Sequence, residues 1–170
     1  MSADCLSAVW TYPGEMPVFT LPEWEVVLGQ AMQARLMARL AQHLADQNWL
    51  SQVPEKPRQY LEGGLRLADR QHHEVHWEVD RIVRALKDVD SPVVLLKGAA
   101  YLIAGLPPGR GRLFSDIDIM VRRDRLKEVE GVLFRHGWIS EERNAYNDRY
   151  YREWMHEIPP MKQVQRQTVI

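Results

Sequence analysis

Asp116 and Asp118 stand two residues apart inside an apolar run made by Ile117, Ile119, Met120 and Val121. In an extended chain, residues i and i+2 project from one face, so the two carboxylates become neighbours while Ile117, Ile119 and Val121 point the other way. Paired carboxylate oxygens hold a hard divalent cation and leave its remaining positions to phosphate or water. Taken alone, such a pair also reads as solvated acids at a strand end, where exposed acids are common. The apolar setting argues for a central strand, where two carboxylates would be costly and a bound cation would remove the cost.

A second element lies upstream. The apolar run Val93-Val94-Leu95-Leu96 gives way to Lys97-Gly98-Ala99. Gly98 lets the backbone approach a ligand there, and the first amides of a following helix face phosphate. Arg110 and Arg112 are further candidates, since a guanidinium forks onto two phosphate oxygens; solvated loop charges are an equal alternative. The cluster Arg122-Arg123-Asp124-Arg125 reads either as a guide for a polyanionic acceptor or as a solvated helix start. His72 and His76 stand one helical turn apart, but no HExxH order accompanies them, and His72 falls on an apolar stripe that suits a packed histidine. Trp24, Trp49, Trp77, Trp138 and Trp154 are assigned to packing rather than to stacking on bases.

The elements that must position these residues follow from periodicity. Residues 1–22 read as an irregular arm with three prolines and a glycine, whose Trp10 and Phe19 dock on the body. Residues 23–90 read as a helical region. One helix is expected from Trp24 to Asn48 behind Pro22, with Pro54 and Pro57 breaking the chain after it. A second is expected from about Tyr60 to Lys87, its start delayed towards Leu65 by Gly63-Gly64, with a continuous stripe from Leu61 to Leu86.

Residues 91–170 read as strand, helix, strand, helix. Val93 to Leu96 suits a strand buried on both faces, and Ala99 to Ala104 a short helix. Gly105 to Arg112, with three glycines and a proline pair, must be a loop. Phe114 to Val121 is expected to be the strand that carries the aspartates. A helix through Leu126, Val129 and Leu133 follows, capped by Asp124 and ended by Gly137, then a short strand at Trp138-Ile139. Glu141 to Trp154 is expected to be helical in part, with Asn147, Asp148 and Arg149 solvated. His156 to Met161 and Gln167 to Ile170 are expected to pair around a Lys162 to Arg166 turn. The fold class is α+β, a helical layer packed on a small mixed sheet.

Composition narrows the rest. With 170 residues, 45% hydrophobic and 26% charged, the chain suits one domain of ordinary size. A formal net charge of −1, from 22 basic and 23 acidic side chains, supplies no general attraction to polyanions. Cys5 is the only cysteine, which excludes an internal disulfide and fits a reducing compartment, so a cytoplasmic location is expected. No stretch approaches the ~20 apolar residues of a membrane span, and Met1-Ser2-Ala3-Asp4 does not open a signal segment.

Leu95-Leu96-Lys97-Gly98-Ala99-Ala100, the loop ending Gly109-Arg110-Gly111-Arg112, and Ser115-Asp116-Ile117-Asp118-Ile119-Met120-Val121 together resemble the uncharacterised nucleotidyltransferases of the polymerase-beta-like superfamily. The helix to Gly137-Trp138 and the later His156-Glu157-Ile158-Pro159-Pro160 fit the same pattern, and the resemblance spans about Trp24 to Ile170. It implies a polymerase-beta-like core that moves a nucleotidyl group, expected to be AMP, from a nucleoside triphosphate, expected to be ATP, with release of pyrophosphate. The acceptor would be a hydroxyl on a small molecule, a protein or an RNA end.

It also implies two magnesium ions on Asp116 and Asp118 as metal-binding and catalytic residues. The triphosphate would lie on Lys97, Gly98 and Ala99, with Arg110 and Arg112 assisting. The chain departs from the wider superfamily where Gly98-Ala99 replaces Gly-Ser, so amides must serve where a hydroxyl is usual, and in the longer gap from Gly98 to Asp116. A third carboxylate is expected just after a segment like Gln167-Thr168-Val169-Ile170, so the core is expected to be incomplete at its C-terminal end. Glu157 and Asp148 are the nearby substitutes. Two alternatives stay open: a non-catalytic nucleotide-binding module, and a helical interaction protein that docks a partner through the Leu61 to Leu86 stripe.

Overall fold

A computed structural model of the chain describes residues 5–11, 16 and 18–170. Its contacts divide it into two compact units, Met1–His72 with Arg110–Leu113, and His73–Gly109 with Phe114–Ile170.

The first unit is helical. Helix α1 (Cys5–Thr11) lies in the segment expected to be irregular. Leu6 and Val9, three residues apart and both buried, give it one apolar face, too short a pattern to register against the neighbouring prolines. Residues 1–4, 12–15 and 17 of that arm lie outside the described residues. Trp10 and Phe19 dock as expected, with ring centroids 5.8 Å from His43 and 5.3 Å from Trp24.

The single helix expected from Trp24 to Asn48 is two, α2 (Leu21–Gln33) and α3 (Met37–Asp46). Between them Arg35 is left-handed at φ 58° and the Leu36 amide closes onto the Ala31 carbonyl at 2.7 Å. No glycine or proline marks this turn. Because Leu28 and Ala31 before it and Leu40 and Leu44 after it enter the same core, the apolar spacing runs on across the break. At the start of α2, the Glu23 carboxylate accepts from the Thr20 amide at 2.8 Å and its hydroxyl at 2.7 Å, a local signal for the helix start.

Helix α4 (Glu55–Leu86) starts earlier than expected and runs through Gly63-Gly64. Pro57 sits in its first turn, where a missing N–H leaves no bond unmade. Gly64 passes against α3: a Cβ there would stand 3.3 Å from the Ala38 Cα, so the glycine serves a close approach. The core of this unit gathers Trp24, Val27, Ala31, Leu40, Leu44 and Leu61.

In the second unit Val75, Val79, Ile82 and Leu86 from the later turns of α4 pack with Ile117, Val129, Leu133 and Trp138. Strand β1 (Val94–Leu95) pairs antiparallel with β2 (Ile119–Met120), and β3 (Trp138–Ser140) with β4 (Met161–Gln163). The C-terminal segment joins the two pairs, Val169 bridging Asp116 in parallel and Lys162 in antiparallel fashion. Helices α5 (Lys97–Ile103), α6 (Leu126–Arg135) and α7 (Ala145–Tyr150) complete the unit. The fold class is α+β, as the sequence implies.

Several local expectations change. The regular ladder of the aspartate strand is confined to Ile119–Met120, because β1 offers only two paired residues. Strand β1 is not buried on both faces, since Val94 is 43% exposed. Asp124 does not cap α6: a 3-10 turn, Arg123–Arg125, precedes that helix, and Asp124 instead accepts from the Arg122 guanidinium at 2.7 and 3.1 Å. Trp77 and Trp154 stand exposed rather than packed, Trp77 beneath the Arg81 guanidinium. Asp148 is half-buried and paired with Arg152 rather than solvated. No helix among the described residues is long and apolar enough to cross a membrane.

Candidate functional site

The carboxylate segment is held from both sides by backbone. The Leu96 amide donates to the Asp118 carbonyl at 2.9 Å on the β1 side, and the Ile117 amide to the Val169 carbonyl at 2.9 Å on the other. With three lines of backbone in register, side chains must alternate. Ile117 is buried at 1% exposure with Ile119 and Val121 packed beside it, and Asp116, Asp118, Ile119 and Val121 line a cavity of about 450 Å³.

The Lys97 ammonium enters the same space, with Nζ 2.6 Å from Asp118 Oδ1. Lys97 is itself left-handed at φ 49°, an uncommon state for a residue with a Cβ and one that clusters at functional positions. The hydrogen bond and charge of Asp118 raise the ammonium pKa above the ordinary lysine value, with smaller contributions from Asp116 and Glu157. The Ser115 hydroxyl donates to Asp116 Oδ1 at 2.8 Å and so limits how that carboxylate turns.

The facing wall comes from the chain beyond α7. Asn144 caps that helix by accepting the Tyr146 amide at 2.9 Å, and the helix then widens into a single π turn, Tyr151–Met155. His156, left-handed at φ 58°, ends it, and the Glu157 amide returns to the Tyr151 carbonyl at 3.0 Å. Tyr151, Met155 and the run from His156 to Pro160 thereby line the cavity. The wall is tied to α6 by Arg152, whose Nη1 and Nη2 fork onto Glu130 at 2.8 and 2.7 Å while Nε reaches Asp148 at 2.9 Å. The two acceptors raise the Arg152 pKa beyond its already high value, and Arg152 holds Asp148 below the usual carboxylate range.

Of the residues singled out from the sequence, Asp116, Asp118 and Lys97 come together. Gly98 and Ala99 follow Lys97 in the first turn of α5 and are buried. Arg110 and Arg112 belong to the first unit. Arg110 Nη2 lies 2.7 Å from Asp46 Oδ1 there, and the Arg112 carbonyl is 2.9 Å from His72 Nε2. Glu157 lines the cavity and Asp148 does not. Tyr151, Met155 and the Arg152–Glu130 contact went unread. The periodicity of Glu141 to Trp154 is weak, and a contact across 22 residues leaves no local signal.

Magnesium takes oxygen ligands, keeps waters and is commonly held by one or two carboxylates together with phosphate. Asp116 and Asp118 are donors of that type, and the Lys97 ammonium lies against Asp118. Among the described residues no group of three or more His, Cys, Asp or Glu side chains is poised to hold a metal.

Comparison with known proteins gives one finding. A model of the family described as uncharacterised nucleotidyltransferase matches residues 20–170. No curated protein and no solved structure matches. With two carboxylates and a lysine lining one cavity, and a family match over most of its length, the chain belongs to the uncharacterised nucleotidyltransferase family.

Proposed function

We propose that this member of the family is a metal-dependent enzyme that moves a nucleotidyl group, AMP from ATP in the simplest case, to a hydroxyl acceptor. The placement of Asp116 and Asp118 carries the reading: backbone bonds to Leu96 and Val169 fix their strand, and both carboxylates face the cavity that Lys97 enters. In the transfer, the acceptor oxygen forms a bond to the α-phosphorus, the bond to the departing pyrophosphate breaks, and the acceptor proton is lost to a base or to water. Two bound magnesium ions would supply Lewis-acid activation of the acceptor and neutralise charge on the triphosphate. Asp116 and Asp118 would hold them. Lys97, with the amides of Gly98 and Ala99, would bind the triphosphate, and the polymerase-beta-like core would position these parts. The acceptor is a small molecule, a protein or an RNA end.

A second reading, a nucleotide-binding module without turnover, is favoured by one observation: among the described residues no group of three or more His, Cys, Asp or Glu side chains is placed to hold a metal ion. The reading of a partner-docking helix loses its surface, because Leu61, Ala68, Val75, Val79, Ile82 and Leu86 are all buried within the chain.

Titration with ATP, with and without magnesium, followed by heat and by pyrophosphate, separates these outcomes. Magnesium-dependent binding and pyrophosphate release, both lost in Asp116→Asn/Asp118→Asn, are expected. Binding without pyrophosphate would move the chain to the second reading, and no binding would overturn both.

A further inference from the structure

The contact between Lys97 and Asp118 is more than a surface ion pair, because one partner is a proposed cation ligand and the other a proposed phosphate ligand. We propose that Lys97 and the incoming cation compete for Asp118, so that cation and triphosphate bind cooperatively, the lysine moving from carboxylate to phosphate as the cation takes its place. The inference rests on the metal-binding reading of Asp118.

Three observations carry it. Lys97 Nζ lies 2.6 Å from Asp118 Oδ1, so an ammonium already occupies one lone pair of that oxygen and opposes a second cation drawn to the same carboxylate. The backbone at Lys97 is left-handed, an uncommon state for a residue with a Cβ and one that clusters at functional positions. The lysine side chain remains 68% exposed while that of Asp118 is 26% exposed, so the lysine can swing away without disturbing packing. Among the described residues no ammonium is paired with Asp116; its close contact is the Ser115 hydroxyl at 2.8 Å, which is no rival for a cation. The two carboxylates are therefore unequal, and Asp118 is the one whose cation must displace something.

Energetically the step is modest. An exposed pair of this kind is worth about a two- to five-fold factor in an equilibrium constant. The displaced ammonium regains that on a triphosphate, whose oxygens accept from it more strongly than water does. Cation alone then meets resistance, and triphosphate alone finds Lys97 engaged. Each relieves the cost of the other, which is positive coupling between two ligands of one site.

The test is Mn²⁺ binding, read from the free-ion electron paramagnetic resonance signal, in the intact chain without nucleotide and with a non-hydrolysable ATP analogue. Lys97→Met should bind Mn²⁺ alone about two- to five-fold tighter than the parent, and the coupling between Mn²⁺ and the analogue should fall by about the same factor. Lys97→Arg, which keeps the charge, should behave as the parent does. The tightening should vanish when Lys97→Met is placed on Asp118→Asn, because a competition needs both partners. Unchanged Mn²⁺ affinity in Lys97→Met, with parental binding still lost in Asp118→Asn, overturns the competition and leaves the metal site standing. Tightening that persists on Asp118→Asn also overturns it, showing general repulsion instead. No carboxylate-dependent Mn²⁺ binding in any variant, with or without the analogue, overturns both the inference and the reading beneath it.

Discussion

At the scale of single residues, Asp116 and Asp118 were legible because strand alternation is strictly local: the period of two needs no knowledge of the partner strands. Their surroundings were not. Which residue of the Lys97-Gly98-Ala99 turn enters the cavity depends on the register of β1 against β2 and on the left-handed backbone at Lys97, neither of which sequence spacing reports. The Ser115 contact follows the same logic and gives a direct prediction. Its hydroxyl donates to Asp116 Oδ1 at 2.8 Å, and if Asp116 is the metal ligand proposed above, losing such an orienting partner typically changes affinity or activity by about 10–100-fold. Because Ser115 is exposed, Ser115→Ala should fall near the lower end, about a tenfold loss in magnesium affinity measured calorimetrically in the presence of ATP, with little change in thermal stability. Chelation should separate function from fold in the same way. Asp118 already holds the Lys97 ammonium, so EDTA is expected to abolish transfer while the melting temperature of the nucleotide-free chain stays within a degree or so, about the shift that a few tenths of a kcal/mol would give.

Among elements, the wall beyond α7 is the part the sequence conceals most. Its π turn and the left-handed His156 arise where no glycine or proline punctuates the chain, so a window over Glu141 to Trp154 finds only weak helical order. What fixes the wall is Arg152, one guanidinium held by Glu130 of α6 and Asp148 of α7. Arg152→Ala leaves two half-buried acids without their shared partner and should loosen Tyr151 and Met155. The expected result is a raised KM for the nucleotide or acceptor, with a smaller change in kcat, because the carboxylates stand on a different segment. A pH series tests the Asp148 arm separately. The folded-state pKa of Asp148 lies below its unfolded value, so its contribution is present above about pH 4 and disappears as pH falls through the lower folded value. Asp148 remains 40% exposed, so the contribution is only about 0.2–1 kcal/mol. The difference in melting temperature between the parent and Asp148→Asn should accordingly be constant from pH 7 to 5 and shrink on further acidification; a difference that grew there would contradict the assignment. Helices α2 and α3 teach the same lesson as the wall: where both sides of a turn bury one face, apolar spacing alone draws a single helix.

For the whole molecule, α4 is the element that long-range reading caught and misjudged in detail. Its stripe was legible over its full length, but not that the stripe would enter two cores, with Leu61 in one and Val75, Val79, Ile82 and Leu86 in the other. Nor could the sequence show what Glu78 does. That carboxylate, 2% exposed, receives Arg166 Nε at 2.7 Å and Nη2 at 2.8 Å. The Arg166 guanidinium also lies 5.1 Å from the Trp138 ring and 5.5 Å from that of Trp77. Arg166 stands in the tight turn after β4, and that turn returns the chain so that Val169 bridges Asp116. A buried ion pair on α4 thus anchors the segment that holds the carboxylate strand. Removing one partner leaves an uncompensated buried charge, which costs about 3–5 kcal/mol, whereas replacing both by apolar groups is often neutral or better. Glu78→Ala should therefore lower the melting temperature by roughly 6–20 °C, at about 2–4 °C per kcal/mol for a chain of this size. The paired change Glu78→Leu/Arg166→Leu should recover most of that loss. The two variants also separate stability from positioning, because recovered stability restores the core but not the forked contact that fixes the turn. If Glu78 and Arg166 set the register of Val169 against Asp116, the paired variant will melt near the parent temperature yet bind magnesium and ATP more weakly. Full recovery of binding alongside stability would show that packing alone holds the strand in place.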